Sequence, residues 1–164
     1  MKKVISTVLI AAALILCTGC GAGAQAGKTV SMYELRMAME AADTDHPEML
    51  NASSAEKKAE ENFSYISDMD YKKVDSYFVS YAKEGTADEI AVIAVKNPAD
   101  VPEAKESLTA HQNDRHKLLE QYKPEEVVRV DDGLIFTKGQ YAVLIISDHN
   151  NDIRKAFNDM IDGK

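Results

Sequence analysis

GLIFTKGQYAVLIISD, residues 133–148, is the stretch that decides the fold, because apolar content, alternation and turn chemistry agree there. It predicts two strands, residues 134–137 and 141–147, with Gly139 in the short connection between them. Glycine adopts the positive φ of a tight hairpin turn at no steric cost. The second strand is apolar on both faces, so it must be covered on both sides or lie centrally in the sheet. The stretch therefore predicts a β-hairpin that the other elements bury.

The remaining chain supplies two strands before the hairpin and helices on both sides of it. Hydrophobic residues at helical spacing predict helices at residues 31–42, 55–66 and 101–122, and a last one that begins at Asn151 or Asp152. Aromatic and β-branched residues in alternation predict strands at residues 73–81 and 88–96. The predicted fold class is α+β: a small antiparallel sheet of about four strands packed against a long helix, in the order α-α-β-β-α-β-β-α.

Capping residues and a proline mark the ends of the predicted helices. Ser31 and Glu34 match the Ser-x-x-Glu capping box, Asp100 stands where it would cap the long helix, and Pro124 ends that helix. Residues 43–54 are interpreted as a polar loop, and residues 127–130 as a short strand or an extended connection. The long helix carries one stripe of residues, which we predict to face the sheet: Val101, Ala104, Leu108, His111, Arg115, Leu118 and Tyr122.

The N-terminus has the pattern of an export signal. Lys2 and Lys3 precede an apolar run at residues 4–16 that is short for a membrane span. Leu16-Cys17-Thr18-Gly19-Cys20 then resembles the lipobox of bacterial lipoproteins, in which the final Cys receives diacylglycerol. The predicted organisation is a lipoprotein signal peptide at residues 1–19, lipidated Cys20 with a flexible tether at residues 20–30, and one α+β domain at residues 31–164. The alternative is a secretory signal cut after Ala24-Gln25-Ala26.

Charge and cysteine content limit the partners and the environment. No Cys lies beyond residue 20, so the predicted domain has no internal disulfide and depends on its apolar core. Without Lys2 and Lys3, 17 basic and 27 acidic residues remain, a net charge of −10. An acidic surface argues against nucleic acid and against a charge-driven hold on an anionic membrane. We therefore expect the protein on the cell membrane, facing outside the cytoplasm and attached through the lipid.

Polar residues in and beside the stripe of the long helix form the first candidate site. His111, Asp114 and Arg115 are interpreted either as a polar site on the sheet-facing side or as the edge of the stripe, with Arg115 extending its stem over the core. The chain has no phosphate-binding glycine loop, no Gly-x-Ser-x-Gly elbow and, beyond residue 20, no nucleophilic Cys. An enzyme would therefore need a site assembled from dispersed residues such as His111, Asp114, Tyr81 and Asp148.

The second candidate is a partial calcium loop in residues 148–152. Asp148, Asn150 and Asp152 match the start of such a loop, but Ile153 stands where the loop needs Gly for its sharp turn. The other interpretation is a connection from strand to helix, in which these side chains accept hydrogen bonds from the first N–H groups of the last helix. The sequence therefore predicts no metal and no cofactor.

Several of these stretches resemble a family of Gram-positive, mostly clostridial, lipoproteins catalogued as domain-of-unknown-function family 4358. The resemblance covers roughly residues 31–160. Its residues are Tyr71, Val74, the DEIAVIAVK strand, Ala104 and Leu108, Tyr122-x-Pro124 and TKGQYAVLIISD. It implies a lipid-anchored protein of one α+β domain and gives no catalytic residues.

Two classes of function follow from these observations. The first is a non-enzymatic binding or accessory module at the cell surface, tethered to the membrane, with a protein or the cell wall as its partner. The second is an extracytoplasmic, hydrolase-like enzyme. A deep polar pocket that joins the dispersed residues favours the enzyme, and a flat sheet face favours the binding module.

Overall fold

A five-stranded antiparallel sheet forms the centre of the computed structural model, which describes residues 30–164. The strands lie in the order β1-β2-β3-β5-β4. Their bounds are β1 Met49–Ser53, β2 Val74–Ala82, β3 Glu89–Val95, β4 Leu134–Lys138 and β5 Tyr141–Ile146. The fold class predicted from the sequence is confirmed. The signal peptide, the lipobox with Cys20 and the tether up to residue 29 lie outside the described residues.

Helices cover both faces of the sheet. One face packs against α2, α3 and α4, and the other against α1 and α5. The bounds are α1 Met32–Ala41, α2 Ala59–Phe63, α3 Val101–Tyr122, α4 Val127–Asp131 and α5 Asn150–Asp162. Within residues 30–164, none of the helices has the length and apolar character needed to cross a membrane.

The hairpin of β4 and β5 has the predicted place and turn. Gly139 lies in the connection with a φ of 57°. β5 lies between β3 and β4, and its side chains alternate between the two faces. Leu144 packs into the core under α3, whereas Ile145 packs into the core under α1 and α5. The prediction that this strand is covered on both sides is confirmed, because each face of the sheet carries its own hydrophobic core.

The predicted number of strands was one too low. β1 falls within residues 43–54, which the sequence analysis interpreted as a loop. Among residues 30–164 it is an edge strand that pairs with β2 alone, and its sequence MLNAS has no strong alternation. An edge strand obtains its hydrogen bonds from its neighbour, so its local sequence need not carry the signal of a half-buried strand.

The interpretation of residues 127–130 as a short strand or an extended connection was wrong. These residues belong to α4. Val130 of this helix is fully buried in the core on the α3 face. The three valines at residues 127, 128 and 130 favour a strand by intrinsic propensity, but packing on α3 decides the outcome. The predicted second helix is shorter than expected, since α2 includes only Ala59–Phe63 of residues 55–66.

The long helix has its predicted bounds, but its buried stripe turns away from the predicted one. Leu118 and Tyr122 are 50% and 74% exposed, whereas Leu119 is 3% exposed. Leu119 follows Val101 by roughly five turns of 3.6 residues and so lies on the same side, while Leu118 lies about 100° from it. The alternating three-and-four spacing has a period of 3.5 and therefore drifts off the buried face.

The predicted caps do not form through side chains. Ser31 and Asp100 occupy the N-cap positions of α1 and α3, but neither side chain accepts a capping hydrogen bond. α5 begins at Asn150, and its N-cap residue His149 makes no such bond either. Instead, the His149 N–H donates to Ser147 Oγ at 2.8 Å. α1 and α3 therefore begin at their predicted residues and α5 begins one residue earlier than predicted, without side-chain caps, and Asp100 lies 3.6 Å from Lys73 Nζ instead.

Candidate functional site

An open groove runs along one side of α3. α3 packs on β3, β5 and β4, whereas α2 packs on β1, so the sheet between the two helices is left partly uncovered. The groove has a volume of about 380 Å³. Its walls are mostly apolar or aromatic, with one polar side chain, that of Asn62; the others are Ala52, Ile66, Val79, Tyr65 and Tyr81.

Contacts within the aromatic core hold α2 beside the sheet and so fix one wall of the groove. The Tyr77 hydroxyl donates to the Ala59 carbonyl at 2.6 Å. The ring of Phe63 lies 5.1 Å from that of Tyr77 and 5.3 Å from that of Tyr71, in inclined arrangements. Such pairs stabilise beyond the area they bury. The wall is therefore anchored in the core, even though α2 has only five residues.

Three ionisable side chains meet at the base of the groove, and we call them the Glu89 cluster. Glu89 Oε1 lies 2.6 Å from His111 Nε2, and Glu89 Oε2 lies 3.3 Å from Arg115 Nε. Arg115 Nη2 also donates to the carbonyls of Thr86 at 3.0 Å and Ala87 at 3.2 Å. The side chains of Glu89, His111 and Arg115 are 3%, 14% and 17% exposed. The cluster is thus mostly withdrawn from water but reaches the groove.

Strand pairing explains why Glu89 faces α3. Glu89 lies opposite Tyr81 of β2 and Ile146 of β5. Residues directly opposite each other in a sheet project to the same face, and Ile146 belongs to the core under α3. Sequence reasoning missed Glu89. An acidic residue at the start of the otherwise apolar strand EIAVIAV is, however, a usable signal of a buried charge. Such a residue needs a partner when it is buried.

The structure separates the members of the predicted polar site. His111 and Arg115 join Glu89, and the Arg115 head group is held in the cluster rather than extended into solvent. Asp114 instead projects outward, with a side chain 73% exposed, and pairs with Lys117 at 2.8 Å. The hydrogen bond from Lys117 lowers the pKa of Asp114. The sequence therefore identified two of the three members of the buried cluster.

A second depression continues the groove past His111, and we call it the acidic end. It has a volume of about 310 Å³ and shares Tyr65, Ile66 and His111 with the groove. Its carboxylates are those of Asp68, Glu103, Glu106 and Asp114. Lys73 pairs with Glu103, as Lys117 does with Asp114. Within residues 30–164, neither Asp68 nor Glu106 has an ion-pair partner.

The dispersed residues of the enzyme hypothesis do not share one pocket. Tyr81 and His111 line the groove, and Asp114 lines the acidic end. Asp148 lies elsewhere and binds Arg129 of α4, Oδ2 to Nη2, at 2.9 Å. Arg129 Nη1 also contacts Asp88 Oδ2 at 3.0 Å, so it joins the end of β5 to the start of β3. Asp148 therefore takes part in an ion-pair network outside the groove.

The side chains of the partial calcium loop point to different partners. Asp148 pairs with Arg129, and Asp152 lies 3.7 Å from the ring of His149. Asn150 accepts from the Ser147 N–H and donates to the Asp132 carbonyl, each at 3.0 Å. In the part of the chain that the structure describes, no three His, Cys, Asp or Glu side chains form a group that could hold a metal ion.

Comparison with known proteins gives one match. No curated protein and no solved structure matches the chain. The profile of the family described as "Domain of unknown function (DUF4358)" matches residues 48–147, which is more than half of the 164 residues. This range is narrower than residues 31–160, because it leaves out α1 and α5, but it contains the whole sheet and every residue of the groove. The chain therefore belongs to the DUF4358 family of domains of unknown function.

Proposed function

We propose that the protein is a lipid-anchored, non-enzymatic binding module on the outer side of the cell membrane, and that its groove holds a partner. The lipobox-like sequence ending at Cys20, and its likeness to Gram-positive lipoproteins, support the location. The partner is a protein or a component of the cell wall. The observation that carries the proposal is the Glu89 cluster beneath a groove with exposed tyrosines.

The groove combines the two features of a binding site. Polar groups at fixed positions orient a ligand, and apolar walls supply contact area. Next to the cluster, Tyr65, Leu50 and Tyr81 are 74%, 41% and 38% exposed. Leu50 lies opposite Tyr81 in the strand pairing, so both project to the groove side of the sheet. Adjacent exposed apolar residues of this kind mark interaction sites, and tyrosine is enriched in them.

The pairing inside the cluster favours binding over catalysis. A general base needs a lone pair directed at the substrate, yet one Glu89 oxygen is engaged by His111 and the other by Arg115. Two serine hydroxyls that line the acidic end, those of Ser67 and Ser107, hydrogen-bond to each other. The hydrolase-like alternative would require this pairing to open. Hydrolysis of a substrate that is lost when His111 is replaced would establish the hydrolase-like alternative.

Site-specific photo-cross-linking tests the proposal. A photoreactive phenylalanine analogue replaces Tyr65 in cells that make the full-length protein, and irradiation captures whatever lies in the groove. Tyr122 is the matched control, because it is also 74% exposed but lies outside the groove, near the end of α3. We expect a discrete cross-linked product from position 65 and none from position 122. No product at position 65, or the same products at both positions, would contradict binding through the groove.

A further inference from the structure

We propose that the occupant of the groove is a basic, extended segment of a partner protein. An apolar side chain of this segment lies between Tyr65 and Tyr81, and a Lys or Arg side chain lies at the acidic end. This inference rests on the proposed function, because it names the partner chemistry of the same groove.

Charge complementarity is the first argument. Of the four carboxylates at the acidic end, Lys73 and Lys117 neutralise those of Glu103 and Asp114. Asp68 and Glu106 have exposed side chains and no cationic partner in residues 30–164. The potential beside the groove is therefore negative, and complementary charge both attracts a partner and excludes partners of the wrong sign.

The state of Arg115 supports the same sign. An acidic ligand would need a free cation in the groove, but Arg115 is held by Glu89 and by the carbonyls of Thr86 and Ala87. The charges of Glu89 and Arg115 offset each other within the cluster. An acidic segment would thus find no unpaired arginine and would be repelled by Asp68 and Glu106. A basic segment would instead be attracted by the carboxylates of Asp68 and Glu106, which are unpaired within residues 30–164.

The dimensions fit a short extended peptide. The groove and the acidic end together follow α3 from Glu103 to Arg115, twelve residues along the helix, which is about 18 Å. An extended chain covers that length with about five residues at roughly 3.3 Å each. Tyr65 lines both depressions. Its ring is therefore placed to contact an apolar side chain on one side and a cation near Asp68 on the other.

Binding of model peptides to the full-length protein in a non-ionic detergent tests the inference by fluorescence anisotropy. The probes are fluorescein-labelled Lys-Leu-Lys-Leu-Lys and its Glu-Leu-Glu-Leu-Glu and Gln-Leu-Gln-Leu-Gln counterparts. We expect the lysine peptide alone to bind measurably, with an affinity that falls as salt is raised. Asp68→Asn combined with Glu106→Gln should weaken it about tenfold, as the loss of two partly exposed ion pairs predicts.

A control pair removes the same charge elsewhere. Glu34→Gln combined with Glu120→Gln takes two exposed carboxylates from α1 and α3 outside the groove and should leave the affinity within about twofold. Circular dichroism checks that all variants stay folded, which we expect because the four side chains are exposed. An equal loss in both pairs would show that overall charge, not the acidic end, attracts the peptide, and would overturn the inference.

Further outcomes separate the inference from the function on which it rests. If the uncharged peptide binds as tightly as the lysine peptide and Tyr81→Ser abolishes both, the groove binds peptides but not through charge, so the inference alone fails. If spermine at the same concentration displaces the lysine peptide, the acidic end binds free polyamines, and the inference that the occupant is a protein segment would be overturned. If no peptide binds while cross-linking from Tyr65 persists, the inference fails and the binding function stands. Failure of both experiments would overturn both proposals.

Discussion

Replacement of Arg115 by methionine should destabilise the protein strongly, because it leaves Glu89 buried without its guanidinium partner. The Glu89 side chain is 3% exposed, so water cannot replace the lost interaction. Removing one member of a buried ion pair typically costs about 3–5 kcal/mol. The two hydrogen bonds from Arg115 Nη2 to the carbonyls of Thr86 and Ala87 are lost as well, at about 0.5–1.5 kcal/mol each.

Two features of the cluster reduce this cost. His111 still contacts the other oxygen of Glu89. Arg115 Nε lies 3.3 Å from Glu89 but makes no well-directed hydrogen bond to any group in residues 30–164, so that contact is electrostatic rather than a full hydrogen bond. We therefore expect Arg115→Met to lower the free energy of unfolding by about 2–4 kcal/mol. That is a large share of the roughly 5–15 kcal/mol typical of a domain.

Urea denaturation followed by circular dichroism measures the effect as a shift of the midpoint at constant slope. Lys117→Met is the matched control in the same helix. Lys117 and its partner Asp114 are both exposed, so this change should leave the midpoint nearly unchanged. The double variant Glu89→Gln with Arg115→Met should lose less stability than the sum of the losses in the two single variants. The difference is a coupling of about 1–3 kcal/mol. Additive costs, or an Arg115→Met variant as stable as Lys117→Met, would refute the buried cluster.

Three further predictions concern the anchor, the core and pH. Cys20→Ala should release the protein from the membrane fraction into the medium, whereas Cys17→Ala should not; an unacylated wild-type protein that begins at residue 27 would show a secretory signal instead. Ile145→Ala should cost about 2–5 kcal/mol in urea denaturation, because this side chain is 0% exposed in the core under α1 and α5. The hydrogen bond to Asp45 raises the pKa of His149, so this contact stabilises below about pH 6.5 and is lost as pH rises through the folded-state pKa. A magnetic resonance titration should place the His149 midpoint above that value, and Asp45→Asn should lower the midpoint, although Asp43 and Asp152 still raise it.

Local signals were sufficient for the parts of the fold that local sequence determines. The hairpin has its turn glycine and its apolar strands within residues 133–148, and α3 has its limits set by residues near its own ends. β1 and α4 have no such signals, because pairing with β2 creates the first and packing of Val130 on α3 creates the second. The drift of the buried stripe from Leu118 to Leu119 likewise follows from helical geometry that short spacings do not resolve.

The candidate site shows a similar division between local and long-range information. Arg115 and His111 could be singled out because they interrupt an apolar stripe of one helix. Their partner Glu89 is 22 residues from His111 in sequence, and only the sheet places it beneath α3. Tyr65 and Tyr81 become neighbours of one groove because the loop after α2 folds over the sheet beside β2. A site made from five separate parts of the chain, namely β1, α2 with the loop after it, β2, β3 and α3, has no spacing motif for sequence reasoning to find.

Thiol labelling in intact cells tests the combined claim of an outward-facing module with an occupied groove most directly. The chain has no Cys beyond residue 20, so Tyr65→Cys and Tyr122→Cys each introduce one new thiol at sites of the same 74% exposure. With a membrane-impermeant maleimide, we predict rapid labelling at position 122 in intact cells. At position 65 we predict labelling that is slower in cells than in the purified protein. Labelling at neither position until the cells are lysed would contradict the location, and equal labelling at both positions in cells would contradict an occupied groove.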